Sequence, residues 1–174
     1  MSSIRGMKSL VAMWLLFTSA VCQAQQEALR DVQIVEFGVF SMIDSGGYVG
    51  APNVIAGKSH AGTEASLIES TTDIHAAVGT SFGIRVKFIG EPDGATIPCT
   101  AKCLHPKFTD PTSRQSSEVE QWDNVGTIGS AGYIGYTFDN SWELVPGQWT
   151  IQIFVGSKLR VEKAFKVIVS GNAG

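Results

Sequence analysis

Hydrophobic and polar residues alternate along several short segments, a pattern typical of β-strands that bury one face. In the clearest segment, Phe82–Gly90, apolar residues occupy the even positions from 82 to 88, whereas Arg85 and Lys87 lie on the opposite face. The other predicted strands are Val32–Phe40, Ala95–Leu104, Ser117–Trp122, Gly132–Phe138, Gln148–Val155 and Leu159–Val169. The last two form a hairpin around a turn at Gly156–Lys158, and no segment sustains the 3.6-residue period of a helix.

About seven or eight strands of this length predict an all-β, two-sheet antiparallel sandwich, because each alternating strand must bury one face. A closed barrel is the alternative architecture. The Gly- and Ser-rich segment Ser41–Ser70 is too long for a tight turn. We predict a surface loop there, with an irregular strand near Glu64–Ser70, and loops of this kind often carry binding sites.

Residues 1–24 have the pattern of a secretory signal peptide. Arg5 and Lys8 give a positive start, and the apolar run Ser9–Val21 is shorter than the about 20 residues that span a bilayer. Ala24 occupies a small-residue position at the end of this pattern, which predicts cleavage after it. The chain therefore divides into a signal peptide at 1–24, a linker at 25–31, a β-sandwich domain at 32–169 and a tail at 170–174.

Lipidation of Cys22 is the alternative fate of the N-terminal segment. Lipoprotein signals usually carry Leu three residues before the cysteine and a small residue just before it, but Ser19 and Val21 stand here. In either case the expected location is the periplasm or the exterior of a bacterial cell.

The predicted mature chain is mildly acidic. Loss of residues 1–24 removes Arg5 and Lys8 but no acidic residue, so the formal net charge changes from −3 to −5. Nucleic-acid binding needs a basic stripe, which the scattered charges do not form. No later apolar run is long enough for a membrane span.

Two of the three cysteines, Cys99 and Cys103, stand close to His105 in the segment Pro98–Pro106. On a flat strand, residues four apart lie about 13 Å from each other, whereas a disulfide needs Cα atoms within about 7 Å. A regular strand and a Cys99–Cys103 disulfide therefore exclude each other, although an oxidising compartment favours the bond.

A third interpretation of this segment is a copper or zinc site formed by both thiolates and His105. The cysteine spacing is a weak signal for such a site. A fourth ligand would have to come from elsewhere, for example from His60 or His75.

The segment Tyr133–Phe154 followed by Lys163–Val167 resembles the C-terminal signature of a bacterial family of small secreted domains of unknown function. Its most specific element is the sequence ELVPGQWT at 143–150. Earlier segments resemble the same family in order: Val35–Phe40, Thr71–Gly90, Leu104–Ser113 and Glu118–Trp122. The resemblance implies an exported, immunoglobulin-like β domain and no activity, and Cys99 and Cys103 depart from the ordinary apolar strand of the family.

The signature also has a physical interpretation. Pro146 restricts the backbone, and Gly147 permits a sharp turn into the strand that carries Trp149. Glu143 is predicted to hold this corner by accepting backbone hydrogen bonds. We therefore expect the motif to begin a core strand.

No catalytic residues are predicted, because no nucleophile motif is present. Glu36 with Asp139 or Glu143 would be the carboxylate pair of a glycosidase, but nothing in the sequence places them together. Trp122 and Trp142 stand at a strand end and in a turn, where an exposed aromatic ring can bind a sugar or a partner protein.

These features favour an exported, non-enzymatic binding module of the bacterial envelope that needs no cofactor and recognises an envelope protein or a glycan. The first alternative is a periplasmic copper-binding or thiol-redox protein that uses Cys99, Cys103 and His105. The second is a hydrolase with an unrecognised site.

Overall fold

The computed structural model describes residues 29–43, 47–60 and 64–170, and these ranges contain eleven β-strands. The strands are β1 (Leu29–Ile43), β2 (Tyr48–Gly50), β3 (Lys58–His60), β4 (Glu64–Glu69), β5 (Asp73–His75), β6 (Ser81–Gly90), β7 (Thr96–Thr109), β8 (Ser116–Thr127), β9 (Ala131–Thr137), β10 (Gly147–Val155) and β11 (Lys158–Ile168). A short 3₁₀ helix, Ser141–Glu143, precedes β10. The predicted all-β class is confirmed. In the part of the chain described, no helix has the length and apolar character needed to cross a bilayer.

Two sheets form the sandwich. The first has the strand order β4-β1-β6-β9, and the second has the order β5-β11-β10-β7-β8. These two sheets hold nine strands, slightly more than the predicted seven or eight, and both end in edge strands instead of closing into a barrel. Strands β2 and β3 form a separate ribbon.

The core lies between the inner faces of the two sheets, as the alternation predicts. On β6, the four apolar residues at even positions from 82 to 88 are buried. On β10, Trp149, Ile151 and Ile153 are completely buried and face them from the second sheet. The ring of Trp149 lies 5.9 Å from that of Phe82, and its indole nitrogen donates a hydrogen bond to the Val145 carbonyl at 3.0 Å.

The corner before β10 has the predicted structural role. One oxygen of the buried Glu143 carboxylate accepts the Asp139 backbone N–H at 2.9 Å, and the other accepts the Asn140 side-chain amide at 2.7 Å. Gly147 adopts φ +139°, and a Cβ atom there would lie 2.7 Å from Cγ of Pro106. The glycine therefore combines a left-handed backbone conformation with close packing.

The segment Ser41–Ser70 contains more strand than the predicted loop, since β1 continues to Ile43 and β2 and β3 lie within it. The irregular strand expected near Glu64–Ser70 is β4, which pairs with β1 with a shift in register between Val39 and Phe40. Ala65 and Leu67 alternate in burial with their more exposed neighbours. The sequence therefore indicated this strand but not its partner, the edge of β1.

The first strand begins at Leu29, three residues before the predicted start at Val32. Residues 1–28, which include the predicted signal peptide and most of the linker, lie outside the described residues. The predicted strand Ala95–Leu104 continues to Thr109, with an irregularity in its pairing to β8 between Leu104 and Phe108.

Candidate functional site

The structure places Cys99 and Cys103 on the inward face of the extended strand β7. Both thiols are free and buried, with side chains 6% and 0% exposed respectively. Strand β7 pairs without interruption to β8 from Thr96 to Leu104. A Cys99–Cys103 disulfide is therefore not formed, because the segment between the two residues does not turn.

Burial also makes these thiols poor nucleophiles and poor metal ligands. Desolvation raises the pKa of Cys103 far above its ordinary value, and the nearby Glu120 carboxylate raises it further. Burial raises the pKa of Cys99 as well. Because the thiolate is the species that binds metals and attacks disulfides, neither residue is prepared for that chemistry.

His105 does not complete a metal site. Its Nδ1 atom is bonded to the Pro106 carbonyl at 2.9 Å, and its Nε2 atom faces Glu120 at 3.6 Å. His75 lies on β5, at the opposite edge of the sheet from β8, whereas His60 lies on β3. Across 29–43, 47–60 and 64–170, no three His, Cys, Asp or Glu residues are grouped to hold a metal ion.

Glu120 is a buried carboxylate that was not among the candidate residues predicted from the sequence. The residue is 0% exposed and lies opposite Cys103 in the pairing of β7 with β8. One oxygen accepts the backbone N–H of Ile55 at 2.5 Å. The sequence contained a signal, because period-two alternation places Glu120 on the same face as Trp122.

The other oxygen of Glu120 faces Nε2 of His105, and neither atom has a hydrogen-bond partner in the structure. A carbonyl oxygen only accepts hydrogen bonds, so the Nδ1 atom that contacts Pro106 carries a hydrogen. The 3.6 Å separation leaves this contact a buried polar pair without a hydrogen bond.

A cleft of about 490 Å³ opens between the edge strands β8 and β9. Its walls are residues 121–124 of β8 and 133–137 of β9, and its roof is the cap, which we define as residues 48–60, comprising β2, β3 and their connection. Trp122 is half-buried in one wall. The volume is within the range of small-ligand sites, about 300–1,000 Å³.

The cap is attached to β8 by backbone groups. In addition to the bond between Ile55 and Glu120, the Gln121 N–H donates to the Asn53 carbonyl at 3.1 Å. Ala51 is buried, and its N–H closes the cap connection on the Gly57 carbonyl at 2.9 Å. The roof of the cleft therefore depends on a carboxylate of the core and on the edge of β8.

Acidic residues outnumber basic residues in the lining of the cleft. Its described lining contains Asp123, Asp139 and Glu143 but only one basic residue, Lys58. The Lys58 ammonium lies 3.9 Å from the centre of the Tyr48 ring and is partly engaged there. The arrangement favours a neutral or cationic ligand.

Two tyrosines of β9 contribute to the same cleft. Burial raises the pKa of Tyr133 and of Tyr136 above the ordinary value, so both phenols remain protonated. The Tyr133 hydroxyl donates to the Phe82 carbonyl at 3.0 Å. Its ring contacts Phe40 at 4.7 Å between ring centroids, which fixes the position of this wall.

The remaining candidates are separated from each other. Trp142 is not part of the cleft lining and packs edge-on against Phe108 at 5.4 Å between ring centroids. Glu36 is bonded to Arg85 at 2.6 Å, whereas Asp139 and Glu143 line the cleft. Of the two tryptophans predicted as binding residues, Trp122 lines this cleft and Trp142 does not.

We expect both thiols to resist alkylation in the folded protein because their side chains are buried. In iodoacetamide at neutral pH, the domain should gain no adduct without denaturant and two adducts in urea, with or without prior reduction, as measured by intact mass. Cys99→Ser and Cys103→Ser should each remove one adduct from the denatured protein. Two adducts that appear in urea only after reduction would establish a disulfide and contradict the assignment.

The buried Glu143 carboxyl should make stability depend on pH. Burial raises its pKa, while hydrogen bonds from Asn140 and Asp139 oppose part of that rise. Above the ordinary carboxyl pKa, the native state therefore binds more protons than the unfolded state, and the free energy of unfolding falls as pH rises through the elevated pKa.

In Glu143→Gln this decrease should disappear, because glutamine does not titrate. At low pH the variant should match the wild type within about 1 kcal/mol, because a protonated carboxyl and an amide each offer one carbonyl oxygen as acceptor. Urea unfolding of both proteins between pH 4 and 8 measures the difference. Parallel pH profiles would show that Glu143 does not carry the effect.

Comparison with known proteins gives a family and a fold. The family described as a domain of unknown function, DUF3859, matches residues 29–167. A solved structure of an immunoglobulin-like protein from Pseudomonas aeruginosa is similar to the chain, with 27% identity and a TM-score of 0.53 over 82% of this chain and 99% of that one. No curated protein sequence matches the chain.

Proposed function

The chain belongs to the DUF3859 family, and from this premise we propose that it is a non-enzymatic binding module of the bacterial envelope. Its binding site is the cleft between β8 and β9. The observation that carries this proposal is the cleft itself, which has an aromatic wall at Trp122 and a roof attached through Glu120.

The cleft combines the features that ligand sites usually have. An apolar ring supplies contact area, while Asn53, Gln121 and Asn124 supply amide groups that can orient a polar ligand. The two sheets support β8 and β9 from behind, so the walls are placed on the scaffold of the sandwich. An immunoglobulin-like domain is a common scaffold for such a module, although fold alone does not determine function.

The alternatives have weaker structural support. Copper binding or thiol-redox chemistry would require accessible thiolates, whereas both cysteines are buried and protonated. A glycosidase would require paired carboxylates across an open site, and Glu36 is instead bound to Arg85. Neither arrangement offers a substrate the access that the cleft offers.

Export is the first testable element of the proposal. When the full chain is produced in a Gram-negative host, we expect a soluble periplasmic product that begins at Gln25, as measured by intact mass and N-terminal sequencing. Ala24→Lys should leave the chain unprocessed, because signal cleavage needs a small residue at that position. A lipidated product that loses membrane attachment in Cys22→Ser would contradict cleavage after Ala24.

The second test concerns the cleft. Immobilised residues 25–174, in wild-type form and with Trp122→Ala, are used to capture proteins and glycans from envelope extract. Phe154→Ala is the matched control, because Phe154 is an aromatic residue at the outer surface of the second sheet, beneath Lys102. We expect Trp122→Ala to retain at least about tenfold less of the captured ligand, as for a central aromatic contact, and Phe154→Ala to behave as wild type. Equal retention by all three proteins would exclude the cleft as the binding site.

A further inference from the structure

The wall of the cleft at β9 is formed by the backbone edge of a strand. Five consecutive residues, 133–137, line the cleft, although side chains of successive strand residues point to opposite faces. Consecutive residues can all face one cavity only if the cavity lies along the edge of the strand. The same holds for residues 121–124 of β8.

Hydrogen-bond directions on β9 show which backbone groups face the cleft. The Phe138 N–H donates to the Thr80 carbonyl at 3.1 Å, toward the β6 side. Because main-chain groups alternate between the two edges of a strand, those of Tyr133, Gly135 and Thr137 point away from β6 and into the cleft. Within residues 29–43, 47–60 and 64–170, no hydrogen bond to these groups is present on that side.

The opposite wall differs because the edge of β8 already has a backbone partner. On β8 the cap already occupies part of the edge, since the Asn53 carbonyl accepts the Gln121 N–H. The protein therefore covers part of one of the two facing edges and leaves the other without a described partner. An open strand edge is a template for pairing with another chain, and proteins usually blunt such edges unless they use them.

We propose that the cleft binds an extended peptide segment of a partner protein, which adds to β9 as a fifth strand of the first sheet and carries basic side chains. Main-chain hydrogen bonds to β9 would supply affinity, and alternate side chains of the peptide would enter the cleft. The excess of carboxylates over Lys58 in the lining selects cationic residues. This inference rests on the proposed function of the same cleft and specifies its ligand.

A glycan is the competing occupant. A sugar would use the Trp122 ring and the amide side chains but would not need the row of backbone groups on β9. Loss of a backbone donor on β9 should therefore weaken a peptide strongly and a sugar little. The test depends on this distinction.

The protein variant for the test is Thr137→Pro, which removes one N–H that faces the cleft. Proline is tolerated on strand edges where no sheet bond is lost. The substitution also removes the hydroxyl bond between Thr137 and Ser81 at 2.7 Å. Ser81→Ala removes the same bond but keeps the Thr137 N–H, so it is the matched control.

Random octapeptides displayed on phage are selected on wild-type residues 25–174, and enriched peptides are then measured by calorimetry. We expect the enriched peptides to carry basic residues at alternate positions. Binding to Thr137→Pro should be about tenfold weaker, which is the size expected for one lost hydrogen bond. Binding to Ser81→Ala should be unchanged. Absence of enrichment, or equal binding to Thr137→Pro, would overturn the inference.

A second measurement needs no variant of the protein. The best peptide is synthesised with N-methyl groups on its odd amides or on its even amides, so that each version blocks one edge. Strand addition predicts that one version binds about as the parent and the other at least about tenfold more weakly. Equal effects of the two versions would exclude pairing along one edge.

These results also separate this inference from the proposed function. If Trp122→Ala loses an envelope glycan while no peptide is selected, the cleft is a binding site and the peptide assignment is wrong. If neither Trp122→Ala nor Thr137→Pro changes any binding, both proposals fail.

Discussion

A carboxylate buried between two sheets needs hydrogen-bond donors, and Glu120 obtains one of its donors from outside both sheets. The backbone N–H of Ile55 in the cap reaches into the interior to meet it, while His105 faces its other oxygen. Leaving such a group without partners would cost several kcal/mol. The cap is therefore held in place by the core, and the cleft beneath it exists because the cap is held there.

The local alternation of hydrophobic and polar residues was sufficient to predict the strands that form the core. The alternation in Phe82–Gly90 and in Gln148–Val155 identifies which residues are buried, because a strand between two neighbours has little freedom to place its side chains otherwise. The corner at Glu143 and Gly147 was also predictable, since proline restricts the backbone and glycine permits conformations that other residues avoid. These features depend on residues close together in sequence.

The remaining features depend on residues far apart in the chain. A strand was expected near Glu64–Ser70, but the pairing of β4 with β1 was not, because local pattern does not identify the partner of a strand. The cleft is formed by the edges of two different sheets and by the cap, which is attached to β8. Trp122 was therefore predicted as a candidate residue, but the cleft around it was not. The question of Cys99 and Cys103 could be stated from the sequence but was decided only by the extended path of β7.

The free thiols have a consequence for how the domain is made. A domain that matures outside the cytoplasm usually relies on oxidising enzymes when its fold contains disulfides. Here the native state needs no such step, and its stability should be indifferent to the redox potential of the compartment. If the domain matures in an oxidising compartment, as we propose, an unfolded chain would present two thiols to those same enzymes. In the folded domain, the pairing of β7 with β8 and β10 keeps both cysteines out of solvent and on an extended strand that cannot accommodate the bond.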